Sequence, residues 1–173
     1  LPEFKIISKI EDDGVLYYNV EPIDDPSKCP HCNSLDFVKY GGIERFVRDM
    51  PLYGEPVAIT ILSNRFKCKN CDQTFTASFE FVADRSKITN RLKEDIKKRC
   101  LSGTISNLSA ETGLSVATIS RIIDEHIEEQ ESSWRYYTPE ILGLSTITLG
   151  KKQRTLCIDI KRHGVVDILE KAD

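Results

Sequence analysis

The sequence predicts an α+β chain: a zinc ribbon, then a helix-turn-helix, then a short C-terminal antiparallel β-meander. Three observations predict it. Two C-x-x-C pairs, Cys29-Pro30-His31-Cys32 and Cys68-Lys69-Asn70-Cys71, enclose alternating, β-branched segments. After Phe81 the hydrophobic period changes from two to about four. Beyond residue 140, short alternating runs return, separated by turn residues.

Two thiolates three positions apart on a tight turn grip one side of a metal ion, and a second such knuckle closes a tetrahedral site whose usual occupant is Zn2+. Chance pairs, a disulfide and a redox motif are the alternatives. Two pairs in one half of a short chain favour the metal. Pro30 in the first knuckle and Lys69-Asn70 in the second suit rubredoxin-like knuckles better than a thioredoxin turn. With Cys29, Cys32, Cys68 and Cys71 as ligands no coordination position stays open, so one structural Zn2+ is expected. His31 reads as a turn residue rather than a ligand. Cys100 and Cys157 lie in apolar patterns and read as buried thiols. Between and beyond the knuckles, strands are expected over 35–40, ending in a turn at Gly41-Gly42, over 56–62 running on to Arg65-Phe66-Lys67, and over 73–76.

A length of 173 residues suits one ordinary domain or two or three small ones. The expected division is an N-terminal strand or arm over 1–27, the ribbon over 28–82, the helix-turn-helix over 83–131 and the meander over 132–173. No run approaches the roughly 20 apolar residues of a membrane helix. The start, Leu1-Pro2-Glu3-Phe4, lacks the basic and apolar regions of a signal peptide. It is also not methionine, so the true start is expected upstream or has been replaced. Metal-binding cysteines without an export signal predict a reducing, cytoplasmic, nucleoid-associated setting, with no membrane and no small-molecule substrate. The net charge of −3 hides a segregation: residues 1–27 carry −5, 28–121 carry +5, 122–150 carry −5 and 151–173 carry +2. Positive charge collects where the cysteines and helices lie, as a phosphate-binding face requires. A merely solvated surface has the same charge pattern.

Ile88, Leu92, Ile96 and Cys100 form one face of a helix ended by Gly103, with Arg91, Lys93, Lys97, Lys98 and Arg99 on its other face. Residues 105–123 then read as a short helix, a turn at Gly113 and a second helix with Ser115 as its N-cap. Leu108, Leu114, Ile119 and Ile122 are the expected core positions. In a helix-turn-helix the start of the second helix enters the major groove. Val116, Ala117, Ser120 and Arg121 then face base edges, and Ser115 and Thr118 reach phosphates. Arg121 is the strongest candidate for reading guanine, because its fork matches O6 and N7. A phosphate contact or a surface ion pair is its other reading. Lys97 and Lys98 are the expected phosphate contacts of the preceding helix. Acidic residues 124–131 should project away from DNA, and His126 reads as a helix-surface histidine.

The segment 113–123 resembles the helix-turn-helix of lactose-repressor-type regulators and of many transposases. Residues 45–57 with 64–71 resemble the zinc-ribbon region of the bacterial insertion-sequence L-three family of transposases, and the resemblance extends from about Tyr18 to the last residue. It implies a zinc ribbon, a helix-turn-helix and then a ribonuclease-H-like nuclease core with an Asp-Asp-Glu triad. Residues 139–151, 156–160 and 165–170 look like the first three strands of that core. The family's first strand carries Leu-Gly-Ile-Asp-Glu, whose aspartate binds the catalytic metal. Here the run is Leu142-Gly143-Leu144-Ser145-Thr146. The hydroxyl of Ser145 cannot replace a carboxylate in holding divalent cations. The sequence also stops at Asp173, before segments for the other two carboxylates. Asp159 and Asp167 do not match the triad and read as strand-surface residues.

The reading is a zinc-containing, sequence-specific DNA-binding protein, derived from a transposase and catalytically inactive, acting as a transcriptional regulator or repressor. One alternative is the N-terminal DNA-binding fragment of an active transposase, and another is a zinc-ribbon protein-interaction adaptor. A homodimer is expected. Strands over 141–149, 155–160 and 165–169 present Leu156, Ile158, Ile160, Val166 and Ile168 with little of the chain to cover them.

Overall fold

Asp13-Gly14 and Tyr53-Gly54 both place two successive residues at positive φ (48° and 68°, 55° and 87°). Turns of this kind match the right-handed twist of the strands they join. The first joins β1 (Phe4–Asp12) to β2 (Val15–Pro22), and the second joins β3 (Phe37–Leu52) to β4 (Glu55–Cys68). In this computed structural model, which describes residues 3–135 and 137–170, the chain divides into two units, Leu1–Glu128 and Glu129–Asp173.

The first unit holds a sheet in the order β1-β2-β4-β3, with β5 (Thr74–Thr76) pairing the end of β4. β2 and β4 run parallel because the first knuckle and β3 intervene and reverse the chain twice. The segment expected as an N-terminal strand or arm is thus a hairpin within this sheet. The turn expected at Gly41-Gly42 is instead a bulge inside the unbroken β3, where Gly41 sits at φ 99° and the register to β4 slips between Lys39 and Gly42. One face of the sheet buries Leu16, Val20, Val47, Val57, Ile59 and Ile61 against Phe4 and Val82.

The helices follow as α1 (Asn90–Arg99), α2 (Ile105–Thr112) and α3 (Val116–Ser133). Thr89 caps α1 by accepting from Leu92 N, and Thr104 caps α2 by accepting from Asn107 N at 3.2 Å. α1 ends at Cys100 rather than at Gly103, and Cys100 is only half-buried. His126, expected on the helix surface, is half-buried too. Leu92, Ile96, Leu108, Leu114, Ile119 and Ile122 form the helical core.

Sheet and helices are joined by backbone and by charge. Arg48 N donates to Lys87 O (2.8 Å) and Thr89 N donates to Arg48 O (3.0 Å), so the chain entering α1 extends the edge of β3. Next along β3, Asp49 is buried, yet its carboxylate accepts from Thr89 Oγ1 (2.7 Å), from Arg91 Nε (2.7 Å) and from Arg91 Nη2. Burial alone raises this carboxyl, but the hydrogen bonds from Arg91 and Thr89 outweigh it and hold Asp49 below the usual carboxylate range.

The second unit is a meander of β6 (Leu142–Leu149), β7 (Lys152–Asp159) and β8 (Gly164–Glu170), all antiparallel, as the sequence predicts. Gly150-Lys151 closes its first hairpin with positive φ at both residues. Asp159 is buried rather than on the strand surface. Its Oδ1 accepts from Lys161 N (3.0 Å) and Arg162 N (3.1 Å), holding the β7–β8 turn. Cys157 is buried as expected.

Arg91→Ala leaves buried Asp49 with Thr89 but without its cation and should cost about 1–3 kcal/mol of stability, read by urea denaturation. Because the folded Asp49 pKa is depressed, its contribution is present above the ordinary value of 3.8 and lost as pH falls through the depressed value. Between pH 6 and roughly pH 2, wild type should therefore lose more stability than Asp49→Asn. Parallel pH profiles would contradict the clamp.

Candidate metal centre and nucleic-acid interface

The two knuckles meet where β3 begins and β4 ends. Phe37 pairs with Cys68 across the strands, which brings the second knuckle to the first. Cys29 N donates to Ser34 O (2.9 Å), Asn33 N to Cys29 O (2.9 Å) and Cys68 N to Gln73 O (2.9 Å), so each knuckle is closed by its own backbone. The residues that follow the second cysteine of each knuckle, Asn33 and Asp72, both sit at positive φ (58° and 59°). Asn and Asp tolerate that conformation better than other side chains. Phe37, Phe66 and Phe75 pack beneath, with ring centroids 5.3–5.6 Å apart.

The four predicted ligands come together. Cys29 and Cys71 sulfurs are 3.8 Å apart, Cys32 and Cys68 sulfurs 3.6 Å, and all four lie within 4.8 Å of one another. Four sulfurs about 2.3 Å from a zinc ion stand about 3.8 Å apart at the corners of a tetrahedron. A disulfide needs about 2.05 Å, so the donor set and spacing fit Zn2+ and not a bridge. His31 lies exposed in the first knuckle's turn and outside this cluster. The backbone N–H of Cys71 and burial act in opposite senses on Cys68, and its thiol is drawn down to about 6. The Gln73 N–H lowers Cys71, but burial and the neighbouring thiols outweigh it and push it up to about 12. Four crowded sulfurs resist joint ionisation, and a divalent cation removes that resistance.

The helix-turn-helix also has the predicted geometry. Gly113 caps α2 in the left-handed conformation (φ 66°, ψ 17°). A side chain there meets Arg48 Nη1 and Pro56 Cβ at 3.2 Å, so the turn is pressed onto the sheet. Thr118 N donates to Ser115 Oγ (3.2 Å), making Ser115 the N-cap of α3, and the two hydroxyls lie 2.9 Å apart. Ser115, Val116, Ala117 and Arg121 are exposed on the first turns of α3, while Thr118 and Ser120 are half-buried.

The cations on α1 are differently placed from expectation. Arg91 is committed to Asp49, and Arg99 bonds Asp95 (3.3 Å) and Glu111. Lys97, expected as a phosphate contact, has a side chain only 12% exposed and pairs with Glu94 at 3.4 Å. Lys98 remains exposed. Glu125 of α3 accepts from Lys93 Nζ (2.8 Å) and from Arg121 Nη1 (2.6 Å). The Lys93 hydrogen bond, outweighing burial, lowers the Glu125 carboxyl. The sequence reading missed Asp49, Arg48 and Glu125, whose roles depend on partners distant in sequence.

Residues 25–71 match the zinc-finger of transposase IS204/IS1001/IS1096/IS1165, and residues 77–127 match the helix-turn-helix domain of transposase family ISL3. The chain thus resembles the N-terminal part of ISL3 transposases and carries a zinc ribbon and a DNA-binding helix-turn-helix domain. No curated protein and no solved structure matches it. Among the described residues no helix is long and apolar enough to cross a membrane.

Metal analysis of the purified protein should find tightly held Zn2+. Structural zinc contributes on the order of 10–16 kcal/mol of apparent binding free energy in small peptides. A strong chelator, or Cys68→Ser, should therefore unfold the ribbon, read by loss of near-ultraviolet circular dichroism. A metal-free chain with an unchanged spectrum would refute the centre.

Proposed function

We propose that this chain of ISL3 transposase descent is a sequence-specific DNA-binding protein with one structural Zn2+, that it does not cut DNA, and that it serves in the cytoplasm as a transcriptional regulator or repressor of a related mobile element. The observation that carries the reading is the capped start of α3, with Val116, Ala117 and Arg121 exposed and Ser115 and Thr118 beside them. That surface suits the major groove, with Arg121 toward a guanine edge and the two hydroxyls toward phosphates. Arg121 must then exchange or share Glu125. The support for lost cleavage is Ser145 on β6, at the position where the resembling family carries its first catalytic aspartate.

A duplex selected by the purified chain from a random pool provides the test. Arg121→Ala should cost about 1–3 kcal/mol on that duplex and relax base preference. Lys98→Ala should weaken all duplexes alike and flatten the salt dependence. Glu125→Gln, which releases Arg121 and Lys93, should tighten binding. With Mg2+ or Mn2+ the duplex should stay uncut. Absence of salt-dependent binding would favour a protein-interaction adaptor, and metal-dependent cleavage would favour a transposase fragment.

The same reading includes a homodimer formed through the meander. Leu149, Val165 and Ile168 are exposed on one face of β6-β7-β8, beside half-buried Leu156 and Ile158. Pairing two such faces buries them and supplies two recognition helices for two half-sites. Light scattering at micromolar concentration should give twice the chain mass, and Val165→Asp with Ile168→Asp should halve it. A wild-type monomer would refute the dimer.

A further inference from the structure

Two grooves on the first unit, about 730 Å3 and 800 Å3, adjoin and share Phe46, Asp84, Arg85, Ser86 and Lys87. The first reaches Ser115, Thr118 and Arg121 at the start of α3, and the second reaches Lys28 and His31 at the first knuckle. Seven basic and three acidic side chains line the pair, in a chain whose net charge is −3. Lys28, Arg45, Arg48, Arg85 and Lys87 have no carboxylate partner among the described residues.

Two further features set this seam apart from a solvated surface. Arg48 lies over the Phe46 ring (5.4 Å) and against the Gly113 turn, and its Nη1 is buried with no hydrogen-bond acceptor. A buried donor without an acceptor is a standing cost, and a shift of the Arg48 side chain outward to an anionic oxygen removes it. Arg85 holds a left-handed backbone (φ 61°), which a non-glycine residue adopts only against strain. Its turn is fixed by Ser86 N donating to Ala83 O (3.0 Å) and by Arg45 donating to Ala83 O and Ser86 O. Strain is thus kept at an exposed basic turn where glycine adopts the same backbone freely.

Resting on the DNA-binding reading, we propose that the duplex backbone beside the recognition helix lies in this seam, its phosphates held by Arg48, Arg85 and Lys87. The ribbon and the helix-turn-helix then contact DNA as one surface. The occupant is a duplex rather than a small anion because the seam is open, elongated and continuous with the start of α3. A helix entering the major groove there necessarily has a phosphate strand at its side. Along β3, the twelve residues from Phe37 to Arg48 span on the order of 35 Å, close to one turn of duplex.

The probe is the duplex selected by the wild-type chain, in salt titrations and hydroxyl-radical footprints of wild type, Arg85→Ala/Lys87→Ala and Arg85→Gly. The double variant should bind roughly tenfold or more weakly at physiological salt, and its slope of log K against log salt should shrink by about 1–2. Backbone protection on the ribbon side of the site should vanish while base preference is unchanged. Arg85→Gly should raise the thermal midpoint, by relieving the strained turn, and still weaken binding. Wild-type slope and footprint in both variants would overturn the seam while leaving Arg121 reading intact. A wild-type chain that binds no duplex would overturn both.

Discussion

The antiparallel pairing of β3 with β4 is the constraint on which the first unit depends. It runs from Phe37 opposite Cys68 to Leu52 opposite Glu55. At one end it sets Cys68 beside Cys32 and stacks Phe37 over Phe66, so the metal centre cannot assemble without it. Towards the other end it aligns Arg48 and Asp49 with the chain entering α1. Edge hydrogen bonds and one buried carboxylate there fix the helices to the sheet. The sheet core and the helical core are thereby joined within one unit.

Charge is allocated between holding the fold and facing outward. Arg91, Lys97 and Arg99, which look like a DNA-facing row in sequence, are used against Asp49, Glu94, Asp95 and Glu111. Lys28, Arg45, Arg48, Arg85 and Lys87, which have no carboxylate partner among the described residues, lie on β3, on the 83–87 loop and at the first knuckle. Exposed ion pairs contribute little to stability, but they decide which cations remain available to phosphates.

What the sequence made legible was local. C-x-x-C spacing is a property of one turn, and so is the Gly113-Leu114-Ser115 arrangement that stops α2 and caps α3. The alternation over 142–170 likewise announces a meander because each strand pairs with its neighbour. What was missed was non-local. Gly41-Gly42 resembles a turn in sequence, but β4 continues opposite it and the glycines are absorbed as a bulge. Nothing within 1–27 signals that β2 will pair in parallel with β4. Asp49 reads as an ordinary strand charge until Thr89 and Arg91, forty residues on, supply its hydrogen bonds. Lys97 reads as solvent-facing because helical spacing cannot show which side its neighbours will cover.

The central claim is that the metal centre and the recognition helix belong to one DNA-binding body joined by the β3–β4 pair. The most direct test is the affinity of the zinc-loaded and the chelated chain for the same selected duplex, by fluorescence anisotropy at physiological salt, with far-ultraviolet circular dichroism following the helices. The account predicts that zinc removal weakens binding at least tenfold and flattens the salt dependence, although no cysteine lies in the helix-turn-helix turn. Equal affinity and equal salt slope with and without zinc would contradict it.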